Sequence, residues 1–173
     1  MDTVLITAGK YKGRKIATPG GGTHPMGSRE KLALFNMLTG KIEGASVLDA
    51  FAGSGALGIE ALSRGASEVV FIEKLSKACE IIRQNLKSLG VEGAKVIKNS
   101  VSGVADGLGQ FDIVLADPPY DDFDITEISS LAKLVKNGGI LVLSHPGEAP
   151  ELEGFTLSKT HRYAKARISV YFR

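Results

Sequence analysis

Apolar residues along this chain come in short runs separated by polar, glycine-rich joints. Val4-Leu5-Ile6-Thr7 reads as a strand, and Lys15-Ile16-Ala17 as its hairpin partner across the turn Gly9-Lys10-Tyr11-Lys12-Gly13-Arg14. Ser28 is placed to cap a helix from Arg29 to about Thr39, with Leu32, Phe35 and Leu38 on its buried face. Val47-Leu48 opens a strand that runs into a glycine turn, Gly53-Ser54-Gly55, and then a helix through about Arg64. Val69 to Ile72 is the next strand, ended by Glu73. Lys74 to Leu89 has helical spacing, with Leu75, Ala78, Ile82 and Leu86 inward. Further strands are expected at Ala94–Ile97, Phe111–Ala116 and Ile140–Leu143. A helix from Ile125 to Lys136 precedes the last of these and is stopped by Asn137-Gly138-Gly139. Thr156–Lys159 and Ala166–Phe172 alternate like an antiparallel pair.

Strands alternating with helices predict an α/β fold: a mostly parallel, doubly wound sheet, helices on both faces, and an antiparallel C-terminal strand. Residues 1–42 form an N-terminal hairpin and helix extension, and residues 43–173 the main domain. Pro19-Gly20-Gly21-Gly22-Thr23-His24-Pro25 cannot hold regular structure and is expected to move until something binds.

Composition narrows the class only a little. A chain of 173 residues, 43% hydrophobic and 23% charged, is ordinary for one globular domain. No apolar run reaches the roughly 20 residues of a membrane helix. The N-terminus lacks the basic-then-apolar order of a signal peptide. The single cysteine, Cys79, fits a helix core and a reducing cytoplasm. No Cys/His cluster has zinc spacing, so no metal is expected.

Charge changes the picture more. The net charge is +2, but residues 1–41 carry seven Lys/Arg and two acids, and residues 159–173 carry five Lys/Arg and none. Basic ends around an acidic middle point to a surface for a polyanion. Its candidate residues are Lys10, Tyr11, Lys12 and Arg14 in the first turn, Arg29 and Lys31 at the first helix, and Arg162, Lys165 and Arg167 near the C-terminus. Cations beside a tyrosine suit phosphates and a stacked base.

Two motifs carry chemistry. Asp117-Pro118-Pro119-Tyr120 follows an apolar strand, and ligands of open α/β sheets bind at such strand ends. Asp117 and the Pro118 carbonyl can accept hydrogen bonds from an exocyclic NH2. The prolines stiffen the turn and donate no N–H, and Tyr120 offers a ring for stacking. The second motif is Asp49-Ala50-Phe51-Ala52-Gly53-Ser54-Gly55-Ala56-Leu57-Gly58, with Glu73 twenty residues after Gly53. Glycines there admit a ligand close to backbone N–H groups, and Glu73 is placed to bind ribose hydroxyls. The pattern also matches a dinucleotide site, so an NAD enzyme is a competitor. Asp49 opposes that reading, because it would face a pyrophosphate, whereas it suits the ammonium or sulfonium end of S-adenosylmethionine.

With both motifs present, the chain resembles the RsmD-type bacterial ribosomal RNA methyltransferases over nearly its whole length. Ala8-Gly9-Lys10-Tyr11-Lys12-Gly13-Arg14, the stretch Asp49 to Ala66, and Asp117-Pro118-Pro119-Tyr120 carry the resemblance. It implies a class I S-adenosylmethionine-dependent methyltransferase with a Rossmann-like fold, acting on the N2 amine of one guanine in 16S ribosomal RNA, free or in the small subunit; the small size and lack of an added dimerisation segment favour a monomer, and the lone cysteine a cytoplasmic location. It also implies catalysis by Asp117, Pro118, Pro119 and Tyr120. Cofactor contacts are implied for Asp49, Phe51, Ala52, Gly53, Ser54, Gly55, Glu73, Lys74, Ser100 and Asp117. The chain departs from the family pattern at His24-Pro25-Met26, Leu32, Ser100 and Ala164-Lys165. Other readings are an amino-methyltransferase acting on adenine N6 in DNA or RNA, and a non-catalytic RNA-binding module.

Overall fold

The alternating apolar runs become the strands of a seven-stranded sheet and a small hairpin in the computed structural model, which describes residues 2–20, 26–163 and 166–173. Its elements are β1 (Thr3–Leu5), β2 (Lys15–Ala17), α1 (Ser28–Met37), β3 (Ser46–Asp49), α2 (Ala56–Ser63), β4 (Glu68–Glu73), α3 (Ser76–Leu89), β5 (Lys95–Lys98), α4 (Val101–Val104), β6 (Phe111–Ala116), α5 (Ile125–Leu131), β7 (Val135–His145), β8 (Thr156–Tyr163) and β9 (Ala166–Phe172). The main sheet has the order β5-β4-β3-β6-β7-β9-β8; β1 and β2 form a separate antiparallel hairpin. Strands β3 to β7 are parallel, and β9 runs antiparallel between β7 and β8.

Side chains alternate across the sheet and feed two cores. Val47, Ile113, Leu115 and Val142 point to the core shared with Ile6, Ile16, Leu34, Phe35, Ile59 and Ile82. Leu48, Val114, Leu141 and Leu143 point to the core closed by Val101, Ile128 and Leu131. The N-terminal hairpin and α1 therefore share a hydrophobic core with α2 and α3. Burying one such aliphatic side chain contributes about 1.5–3 kcal/mol.

Glu60 joins the N-terminal segment to α2. It is wholly buried and accepts from the Thr7 hydroxyl at 2.6 Å and the N–H groups of Thr7 and Ala8. Lys31 Nζ lies 3.1 Å from its carboxylate and donates to the Leu5 carbonyl at 2.6 Å, and Arg64 Nε lies 3.0 Å from it. Gly9 completes the joint: a Cβ there would lie 1.8 Å from the Ser63 carbonyl oxygen, and Lys10 N–H donates to that oxygen at 2.7 Å.

The structure corrects several expectations. The buried stripe of α1 is Lys31, Leu34, Phe35 and the following Leu38, a proper i, i+3, i+4, i+7 face. Leu32 is turned off that face and is 42% exposed. Lys31 is therefore no RNA-facing cation; Glu60 holds it inside the protein. Ser28 is the first helical residue, and the cap position belongs to Gly27, which makes no side-chain cap bond. Leu75 precedes α3 and is 55% exposed, because Glu73 holds its N–H in the turn. The helix expected through Lys136 ends at Leu131, with a 3-10 turn at Ala132–Leu134. Val135 is fully buried and starts β7 opposite Phe111. Gly138, at φ +77, takes up the register shift before Ile140 pairs with Ile113. Gly138 N–H and the Gly139 carbonyl bond the Arg173 backbone. The readings on Gly21, Gly22, Thr23, His24, Pro25, Ala164 and Lys165 lie outside the described residues.

Candidate active site

Strand parity brings the acidic candidates to one place. Asp49 follows Val47, Glu73 follows Phe71, Asp117 follows Leu115 and Ser144 follows Val142, each two positions beyond a residue of the same core. All four thus stand on one face at the carboxyl ends of β4, β3, β6 and β7.

Asp49 is 1% exposed. One carboxylate oxygen accepts the Gly58 N–H at 2.8 Å, satisfying a donor in the first turn of α2; the other is buried without a partner. Burial drives its pKa up to about 7; the Gly58 bond opposes this, and Asp117 and Glu73 add to it. Asp117 is partly buried, and burial raises its pKa to about 6 against hydrogen bonding from Ser144. Pro118 is buried and Pro119 exposed. Tyr120 starts a 3-10 turn that folds it back over β7, where its hydroxyl lies 2.5 Å from Ser144 Oγ.

Glu73 shapes the glycine turn. Its two oxygens accept the Gly53 N–H at 2.9 Å and the Leu75 N–H at 2.8 Å. Gly53, at φ +54, would carry any Cβ into open space, and Gly55, at φ +79, starts α2 against Ile82 and Phe71. Gly58 has a packing reason: a Cβ there would lie 2.3 Å from the Phe71 ring. Ala52 and Ser54 are buried within the turn, and Phe51 is partly buried against the second core. Asn85 of α3 holds this turn from below. Its amide donates to the Ser54 carbonyl at 3.0 Å and exchanges two hydrogen bonds with Ala17 of β2. Lys74 is exposed and pairs with Asp122 at 3.4 Å. The Ser100 hydroxyl accepts from Gly103 N–H and so caps α4.

The basic candidates are spread over several elements. Lys10, Lys12 and Arg14 are exposed in the first turn, Arg29 on α1 and Arg162 on β8. Lys10 Nζ sits 5.3 Å from the Tyr11 ring centroid, and Arg14 donates to the Ser88 carbonyl at 3.1 Å. Arg167 is partly buried and bonds the Gly147 carbonyl.

Sequence reasoning passed over Ser144, Glu60 and Asn85. Ser144 ends an apolar strand at the same sheet edge as Asp49 and Asp117, and that position was its signal. Glu60 was legible as a lone carboxylate in the apolar stretch Ala56-Leu57-Gly58-Ile59-Glu60-Ala61-Leu62, which calls for buried cations. Nothing in the local sequence marks Asn85.

The sheet order, the reversed β9 and the acidic edge beside a glycine turn define the class: a Rossmann-like methyltransferase domain. The orphaned Asp49 oxygen, the open Gly53 and the acid at the end of β4 fit S-adenosylmethionine, with its ammonium, methionine end and ribose in that order. Among the described residues no group of three or more His, Cys, Asp and Glu is arranged to hold a metal ion, and no helix is long and apolar enough to cross a membrane.

Comparison with known proteins agrees. A family model described as "Conserved hypothetical protein 95" matches residues 4–172. A Bacillus subtilis protein named "Putative rRNA methyltransferase YlbH" is 30% identical over 96% of this chain and 97% of its own. The "Ribosomal RNA small subunit methyltransferase D" of Haemophilus influenzae is 40% identical over 72% of this chain and 67% of its own. A solved structure titled "Putative methyltransferase yhhF from Escherichia coli" superposes with a TM-score of 0.90 at 28% identity, covering 99% of this chain and 98% of that one. The chain belongs to the ribosomal RNA small subunit methyltransferase D family.

Proposed function

We propose that this protein methylates the exocyclic N2 amine of a guanine in small-subunit ribosomal RNA, acting as a cytoplasmic monomer on free RNA or on the subunit. The observation that carries the reading is the Asp117-Pro118-Pro119-Tyr120 turn one strand away from Asp49 and the glycine turn. Bound S-adenosylmethionine supplies an electrophilic methyl group, and S-adenosylhomocysteine leaves as the N–C bond forms and the C–S bond breaks. Asp49 would hold the cofactor's amino group with its free oxygen, and Gly53 and Gly55 would seat its methionine end. Glu73 would take the ribose hydroxyls with lone pairs left over from its backbone bonds. Phe51, Ala52, Ser54, Lys74 and Ser100 would border the same cleft.

Guanine N2 is a weak nucleophile because its lone pair is delocalised into the ring. Asp117 and the Pro118 carbonyl would accept hydrogen bonds from the NH2, favour a pyramidal nitrogen and stabilise the positive charge developing there. The proton shed by the methylated amine would pass through Asp117 to water. Tyr120 would stack on the flipped base and orient it. The exposed cations Lys10, Lys12, Arg14, Arg29 and Arg162 would contact RNA phosphates, with Tyr11 beside them.

The test offers labelled S-adenosylmethionine with unmodified small subunits, stripped ribosomal RNA and DNA, followed by nucleoside digestion. N2-methylguanosine is the expected product. Asp117→Ala should lower its formation about 10²–10³-fold at saturating S-adenosylmethionine. Methyladenosine, or label only in DNA, would transfer the enzyme to the adenine class.

A further inference from the structure

The register fixes what Ser144 stands beside. Ala116, the last residue of β6, lies opposite Leu143 of β7, so Asp117, just past the end of β6, comes beside Ser144. Adjacent strands lie about 4.8 Å apart. Ser144 is 2% exposed, and the Tyr120 hydroxyl reaches its Oγ at 2.5 Å. The phenol thus reaches the serine hydroxyl that stands beside the Asp117 carboxylate.

Their protons limit the arrangements. An ionised carboxylate only accepts, whereas a serine hydroxyl and a phenol each hold one proton. When Ser144 gives its proton to Asp117, the contact with Tyr120 must be made by the phenol donating to Ser144. We propose that Ser144 is a positioning residue of the methyltransferase reaction: it takes the Tyr120 hydroxyl, donates to Asp117, and so fixes the stacking ring and the accepting carboxylate in one frame. This rests on the proposed function and deepens it, since Tyr120 then acts through its oxygen as well as its ring. The titratable groups facing Asp117 are Asp49 on β3, with Glu73 on β4 beyond it, and the Tyr120 phenol.

The test is a carbon-13 carboxyl NMR titration of Asp117, its signal assigned by loss in Asp117→Asn. Wild type, Ser144→Ala, Tyr120→Phe and the double variant are compared. Both single variants remove only one oxygen atom. The Asp117 titration should move to higher pH in Ser144→Ala and, by less, in Tyr120→Phe. Tyr120→Phe should add nothing once Ser144 is alanine. On ribosomal RNA at neutral pH, Ser144→Ala should lower kcat about tenfold with unchanged cofactor affinity. An unmoved Asp117 titration in Ser144→Ala, or additive shifts in the double variant, would overturn the proposal. The titration needs no acceptor. A shifted titration without N2-methylguanosine from wild type would therefore sink the guanine reading and leave the hydrogen-bond chain standing.

Discussion

Two buried carboxylate sites in this molecule are provisioned in opposite ways. Glu60 receives bonds from Thr7, Ala8, Lys31 and Arg64. Burial pushes its pKa up, yet the Thr7 bonds, the Lys31 charge and Arg64 outweigh burial, and it ends below the usual range. At the open sheet edge, Asp49 has one backbone donor and Asp117 a hydroxyl neighbour, and burial wins, to about 7 and about 6. A saturated carboxylate locks elements together. An undersupplied one costs stability and keeps lone pairs free for a ligand.

The difference is sharpest if a donor is removed from the saturated site. Lys31→Met keeps most of the side chain's bulk but strips the buried counter-charge from Glu60. Removing one partner of a buried ion pair costs about 3–5 kcal/mol. Denaturant unfolding should show that loss, with reduced protection from hydrogen exchange in β1, α1 and α2 together. A loss under 1 kcal/mol would mean that Arg64 and Thr7 suffice.

The opposite sign is expected at the open edge. Asp49 and Asp117 have folded pKa values above their usual 3.8, so the folded state binds more protons than the unfolded chain between about pH 4 and 7. Their contribution to stability falls as pH rises through that window. Glu60, with its pKa lowered, contributes stability above its unfolded value of 4.5 and loses it on acidification. Asp49→Asn should therefore stabilise the ligand-free protein by roughly 1–3 kcal/mol at pH 8 and by little at pH 4. S-adenosylmethionine affinity should drop in the same variant. An equal gain at both pH values would show that Asp49 ionises in the folded protein as readily as in the unfolded chain.

The same contrast explains what the sequence reveals. The acidic edge was legible because its residues end apolar strands, and strand parity alone gathers Asp49, Glu73 and Asp117. The apolar runs likewise gave the sheet, the β1–β2 hairpin and the antiparallel pair. Lys31 was misread because a charged residue is assigned to solvent until its partner is known, and that partner, Glu60, is supplied by packing. Leu32 is expected inside because it stands three residues from Phe35, as Phe35 does from Leu38, whereas the buried stripe is Lys31, Leu34, Phe35 and Leu38. Asn137-Gly138-Gly139 was read as a helix stop because glycines end helices and also absorb register shifts, a choice settled only by the pairing of Val135 with Phe111.

With Lys31 withdrawn, the proposed RNA contacts rest on surface cations, and their effects should be the smallest. Lys12 is exposed at the tip of the first turn, while Arg14 is partly held by the Ser88 carbonyl. Lys12→Ala should weaken RNA binding by about 0.5–1 kcal/mol and reduce the slope of log affinity against log salt by about one. Thermal stability and cofactor affinity should not change, because the turn is docked through the backbone of Lys10 and Tyr11 on Ser63. An unchanged salt slope would remove this turn from the RNA surface, leaving Glu60 to hold it for the fold alone.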